Sequence, residues 1–190
     1  MATTQPIRNK HQVRELAAYY LKLGQIRNHV LIVIGLHTAL RISDLLRLTW
    51  DDVYDFEQNR IRTTISIVEK KTHKQKSIAL NDNAIKALTL YAKVAKQGRA
   101  LIENANMKKS ISRIQAYRLI RAAAEALKFQ SRVSCHSLRK TFGYQAWKSG
   151  VSPVIIMEIY NHSSLAVTRR YLGVTQDDKD EVYLSLELMI

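Results

Sequence analysis

The chain has 190 residues, 46 % of them hydrophobic, and a formal net charge of +14; it is long enough for one domain with a sizeable core and too apolar to be disordered. Its single cysteine, Cys135, excludes an internal disulfide and suits a reducing cytoplasm. The apolar run at 31–36 is far too short to span a bilayer, and residues 1–13 hold no signal core.

In chain order, residues 1–10 read as a flexible arm. Val13, Leu16, Ala17, Tyr20 and Leu21 recur at helical spacing over His11–Leu23, and Gly24 ends the run. Residues 25–38 predict a second, more apolar helix. Thr38 to Ser43 turns the chain, and Ser43 is placed to cap a third helix, Asp44–Leu48. Arg60–Val68 alternates and is rich in Ile and Thr, which predicts a strand. Residues 70–76 form a basic turn and Ser77–Leu80 the returning strand, so one small antiparallel sheet is expected.

Asn81 or Asn83 caps the next helix, which runs to about Lys96. Ser112 caps Arg113–Lys128, with Ile114, Tyr117 and Ile120 towards the core. His136–Lys148 follows, closed by Gly150, then a short helix begun by Ser152 and Pro153. A helix bearing Tyr171 ends at Gly173. Asp177–Leu188 is amphipathic, with Val182, Tyr183, Leu184, Leu186 and Leu188 too apolar for a free acidic terminus. The fold class is mainly α with one small sheet.

The positive charge lies over the body of the chain and residues 176–190 are net acidic. A polyanion is the natural partner, double-stranded DNA first. Residues 136–171 carry the chemistry. His136 and Arg139 are three apart on a helix and share a face. His162 stands before Ser163 and Ser164, either of which can cap a new helix. Nine residues of straight helix would set Tyr171 about 13 Å from His162 and on the opposite side, so a shared site needs a break after His162, which the serine cap supplies. Always-charged guanidinium groups suit the charge that builds on a phosphodiester under attack. The pattern holds no metal-ligand cluster and no phosphate-binding glycine loop, and Cys135 has no partner pattern for a nucleophile.

These residues fall into three ordered boxes. Residues 39–46, Ala-Leu-Arg-Ile-Ser-Asp-Leu-Leu, resemble the first box of the tyrosine recombinases, or phage integrase family. His136-x-x-Arg139 resembles the second, and Asn161-His162-Ser163-Ser164 with Thr168-x-x-Tyr171 the third. The Lys70/Lys71 turn is similar to the family's hairpin lysine. Two positions depart from the pattern, Asn161 for Gly and Asp44 for Glu, and neither removes a catalytic side chain.

The resemblance implies a catalytic domain over 11–175 of the DNA breaking-rejoining type, similar to short stand-alone fimbrial-type invertases or to a piece of a longer integrase. It implies site-specific recombination through a 3′-phosphotyrosine bond on Tyr171, with Arg41 and Arg139 on the phosphate. His136 is the candidate base and His162 the candidate donor to a phosphoryl oxygen. Lys71 is the general acid favoured, with Lys70, Lys74 and Lys76 as rivals, and Asp44, three after Arg41, reads either as a support for the Arg41 guanidinium or as a plain helix-terminus carboxylate. Lys70, Lys74, Arg169 and Arg170 are expected on the DNA. No cofactor, metal or ATP is implied. A tetramer on paired DNA sites is, with the 176–190 tail docking on a neighbouring protomer or folding back on its own. A catalytically silent DNA-binding regulator and type IB topoisomerase-like relaxation remain the alternatives.

Overall fold

The computed structural model describes residues 4–104 and 108–186. Ten helices and four short strands lie within them. Helix α2 (Ile26–His37) is the axle. Every residue from Asn28 to Leu36 is buried, and the run 30–36 is apolar on every side, as a buried helix is. It packs against α1 (Lys10–Lys22), α5 (Asp82–Tyr91), α6 (Arg113–Ala126) and α7 (Cys135–Lys148).

Three apolar clusters follow. The largest lies under α2, α5 and Trp50, and a second joins α1, α6 and α7. The third is built on Tyr160, Ile156, Leu172 and Ala39, and it carries the candidate site. Among the described residues no helix is long and apolar enough to cross a membrane.

Several boundaries differ from the sequence expectation. Helix α1 begins at Lys10 because the Asn9 side chain accepts from His11 N and Gln12 N. Ser43 caps nothing: α3 (Ile42–Leu45) starts two residues earlier, with Arg41 at its N-cap. Trp50–Val53 is itself a short helix, α4, closed by a Thr49/Asp52 capping box. The strand expected over Arg60–Val68 is broken. Its first part, β2 (Arg60–Ile61), pairs with β1 (Tyr54–Asp55), and its second, β3 (Thr64–Val68), with β4 (Gln75–Ala79), giving two separate two-stranded ribbons. The break falls where Arg62 N turns to Val53 O at 2.8 Å. Helix α5 stops at Tyr91 and passes into a 3₁₀ turn. On α6, Ile120 is buried as expected, but Ile114 is exposed and Tyr117 only half-buried.

The arm is corrected in its described part. Ile7 is buried and donates its N–H to Thr141 Oγ1 at 2.8 Å, and Gln145 Nε2 donates to Ile7 O and Arg8 O. Arg8 donates to Gly173 O and pairs with Asp178 at 3.2 Å. The chain's start thus fastens α7 to the junction of α9 (Leu165–Leu172) and α10 (Gln176–Ser185). Residues 1–3 of the arm and Leu188 of the tail lie outside the described residues.

Candidate active site

The site is assembled around the end of α8 (Pro153–Tyr160). A helix leaves its last carbonyls unpaired and partly negative, and here cations meet them. Arg139 Nη2 donates to Tyr160 O at 2.9 Å, Arg41 Nη2 reaches the same oxygen at 3.4 Å, and Lys76 Nζ donates to Ile159 O at 2.7 Å. Asn161 closes the helix in the left-handed region, φ 51° and ψ 45°. Gly and Asn are the residues that adopt this conformation with least strain.

The break required after His162 is present: Ser164 caps α9, accepting from Val167 N. The chain folds back, and the Tyr171 ring packs against His162, centroids 5.0 Å apart, and against Tyr160 at the same spacing. Arg139 lies over both tyrosine rings, 4.5 Å from Tyr160 and 5.9 Å from Tyr171. Lys140 Nζ is 5.3 Å from the Tyr171 ring centroid. Burial raises the Tyr171 phenol above its ordinary pKa, although Arg139 and Arg41 both favour the phenolate. The hydroxyl therefore stays protonated near neutrality and needs a base to attack.

Tyr160 and Tyr144 are buried, as the helical pattern predicts. Tyr160 supports the site: its hydroxyl donates to Arg139 O at 2.5 Å. A Cβ on Gly143 would lie 2.2 Å from that hydroxyl, so α7 needs glycine there. Arg139 Nη1 donates to the carbonyl of Ala39, a left-handed residue at φ 54°. This strained turn feeds directly into Arg41.

The two histidines differ. His162 Nδ1 meets Thr168 Oγ1 at 3.1 Å. Burial, then Arg139, Arg41 and Lys71, hold its pKa down to about 4. It is neutral at physiological pH; the Thr168 hydroxyl faces both Nδ1 at 3.1 Å and Ser164 O at 3.4 Å, and when it donates to Nδ1 the ring proton sits on Nε2. His136 is exposed near the start of α7, beside a cleft lined by Arg113, Tyr117, Arg132 and Ser134. Exposed overall but with its ring partly desolvated, it has a lowered pKa, from that desolvation first and then the Arg139 charge, which favours the neutral form that can accept a proton. Burial pushes the Cys135 thiol up to about 11, which leaves it unreactive.

Asp44 departs from expectation. Its Oδ1 accepts from Lys70 N at 2.9 Å, so it holds the lysine turn rather than the guanidinium. The carboxylate on Arg41 is Glu69, fully buried, 2.9 Å from Nη1. Glu69 also accepts from Thr72 Oγ1 at 2.7 Å and Asn161 Nδ2 at 2.8 Å, and these bonds help to hold its pKa below the usual range. Lys71 is exposed at the turn, close enough for its charge to act on His162. Lys70, Lys74, Arg169 and Arg170 are exposed.

The structure thus gathers Arg41, Arg139, His162 and Tyr171 around the end of α8, with Lys71 on the turn near His162 and His136 beside a neighbouring cleft. Sequence reasoning missed Glu69, Lys140 and the inward position of Lys76. Of these only Lys140 left a local signal, standing next to Arg139 on a helix already singled out.

Residues 8–177 match the family described as the phage integrase family. The probable integrase/recombinase YoeC of Bacillus subtilis is 35% identical over 183 residues, covering 96% of this chain and 97% of that protein. The tyrosine recombinase XerD of Mycobacterium leprae is 28% identical over 83% of this chain, which spans 51% of XerD. Among solved structures, XerH site-specific recombinase bound to palindromic difH superposes with a TM-score of 0.76 at 18% identity, covering 97% of this chain and 54% of that one. At that identity the likeness shows the fold.

Proposed function

The chain belongs to the phage integrase family, and we propose that it cleaves and rejoins double-stranded DNA through a covalent bond on Tyr171, as a site-specific recombinase. The observation that carries this reading is the position of Tyr171, folded back against His162 beneath the Arg139 guanidinium. Arg139 and Arg41 converge on the Tyr160 carbonyl beside it, and both charges favour the Tyr171 phenolate.

In the cleavage step the Tyr171 oxygen bonds to phosphorus while its proton passes to His136. Arg41 and Arg139 neutralise the charge building on the non-bridging oxygens, and neutral His162 donates to one of them. The bond to the 5′ oxygen breaks, and Lys71 supplies the proton that oxygen needs to leave. The DNA 3′ end is then held as a phosphotyrosine. Rejoining runs the same steps backwards, with a 5′-hydroxyl of the same or another strand as nucleophile. The phosphodiester energy stays in the covalent bond, so the step calls for no ATP.

Arg113, Arg132, Arg169 and Arg170 are exposed near the pocket and belong to the backbone-binding surface. The finer assembly reads as protomers paired across two duplexes. Asp178 and Glu181 fasten the first half of α10 to Arg8 and Lys148 of the same chain. Val182, Tyr183, Leu184 and Leu186 stay exposed, and these are the groups a neighbouring protomer would cover.

The test is covalent trapping. Nicked duplexes cut from the DNA flanking the gene lose a short fragment on cleavage and strand the intermediate. A protein–DNA adduct resistant to denaturant is expected; stable binding with no adduct on any flanking sequence would contradict the proposal.

A further inference from the structure

The residue chosen to protonate the leaving oxygen stands on a poor support. Lys71 is exposed, on a turn between β3 and β4, which form a ribbon of two five-residue strands. A lone two-stranded ribbon is marginal in water, and a general acid displaced by about 1 Å loses most of its effect. Something must fix the turn.

Both stems of the ribbon are tied to one place. On the outgoing side, Glu69 is buried and accepts from Asn161 Nδ2 at 2.8 Å and from Thr72 Oγ1, within the turn, at 2.7 Å. On the returning side, Lys76 Nζ donates to Ile159 O at 2.7 Å. Ile159 and Asn161 flank the end of α8, immediately before His162. Glu69 also contacts Arg41, so one carboxylate links the first and third sequence boxes, through Arg41 and Asn161, to the turn.

We infer that Glu69 and Lys76 are positioning residues that clamp the Lys71 turn onto the end of α8, holding its lysine in register with His162 and Tyr171. The carbonyl end of the helix favours a cation, and the cations around Glu69 favour a carboxylate. Asn161 has a second purpose beyond its left-handed backbone, because only a side-chain amide there reaches Glu69. The clamp rests on the reading of Lys71 as the acid. Its obvious rival makes Lys76 itself the proton donor, since burial and the Arg139 charge bring its ammonium down to about 8.

Two arms of one experiment decide it, using the full chain as wild type, Lys76→Met, Lys76→Arg, Glu69→Gln and Asn161→Gly. Asn161→Gly keeps the left-handed backbone free of strain, so it remains informative if the buried-charge variants fail to fold. The first arm needs no cleavage. Hydrogen exchange is read at the Glu69, Lys70 and His73 amides, which bond to Lys74 O, Asp44 Oδ1 and Glu69 O. Exchange about tenfold faster there in Lys76→Met and Asn161→Gly, with α2 unchanged, is expected. Unchanged protection would overturn the clamp.

The second arm compares cleavage of ordinary duplex with a duplex carrying sulfur at the 5′ bridging position, a leaving group that needs no proton. Lys76→Met and Asn161→Gly should cleave ordinary DNA about tenfold or more slowly and the sulfur substrate almost normally. Lys76→Arg, which keeps the charge and the bond but cannot act as an acid, should restore ordinary cleavage. Equal loss on both substrates, or no rescue by arginine, would overturn the inference. Failure of the wild type to form an adduct on either substrate counts against the recombinase reading alone, and the exchange arm still decides the clamp.

Discussion

The rings of His162 and Tyr171 meet edge to face, centroids 5.0 Å apart and planes at 70°. They are nine positions apart, and only the helix break at Ser164 lets them touch. This packs Tyr171 against His162 of the same chain and gives His162 a protonation cost. Burial first, and then the Arg139 and Arg41 charges, disfavour the cation, and its pKa falls to about 4.

The sign of the pH effect follows. Between about pH 4 and 6.5 the unfolded chain holds a proton on this histidine and the folded chain does not, so stability should fall as pH drops through that window. Above it the contribution is complete. His162→Gln should flatten this part of the dependence, measured as Tm against pH. A slope unchanged by the substitution would mean that His162 titrates normally.

Gly143→Ala should be costly for its size. The new methyl meets the Tyr160 hydroxyl at 2.2 Å, and Tyr160 cannot retreat without releasing Arg139 O. A loss of about 1–3 kcal/mol is expected, read by denaturant unfolding, together with weakened cleavage. Gly150→Ala, where nothing lies within 4 Å of the new methyl but φ is 88°, should lower stability through backbone strain while sparing the site.

Much of the fold was legible because it is local. The apolar run 30–36 of α2, the caps at Asn81, Ser112 and Ser152, and the serine break before Tyr171 each announce themselves within a few residues. What stayed hidden depends on distance in the chain. Nothing near Glu69 says that its carboxylate will meet Arg41 and Asn161, and nothing near Lys76 says that it points inward. The reading of Asp44 as a support for Arg41 fails for the same reason: its spacing from Arg41 is short, but its contact is with a turn 26 residues on. The exchange of Gly for Asn at 161 makes sense only with the backbone angle known.

Lys71→Ala should cut ordinary DNA about 10²- to 10⁴-fold more slowly and the sulfur-bridged substrate almost normally. Arg41→Ala and Arg139→Ala should be poor on both, by about 10²- to 10³-fold, because phosphate charge builds whatever the leaving group. A Lys71→Ala enzyme equally impaired on both substrates would remove Lys71 as the acid and direct attention to Lys70 or Lys74.

The tail divides at the middle of α10. Asp178→Ala breaks contacts to Arg8 and Tyr144 and should lower Tm. Joint replacement of Val182, Leu184 and Leu186 by serine should leave the Tm of the monomer unchanged, since all three are exposed, while weakening cooperative DNA binding by a protomer pair. Lost monomer stability would instead mean that the tail folds on its own chain, and a rise in DNA affinity that it masks the basic surface.

The central claim is that Tyr171 attacks DNA, and peptide mapping of the trapped adduct tests it most directly. After nuclease and protease digestion, mass spectrometry should place a nucleotide remnant on the peptide holding Tyr171. Tyr171→Phe should yield no adduct yet bind duplex within about twofold of wild type, since one hydroxyl adds little to a many-phosphate interface. A remnant on Tyr160 or Tyr183, or an adduct that persists in Tyr171→Phe, would contradict the account.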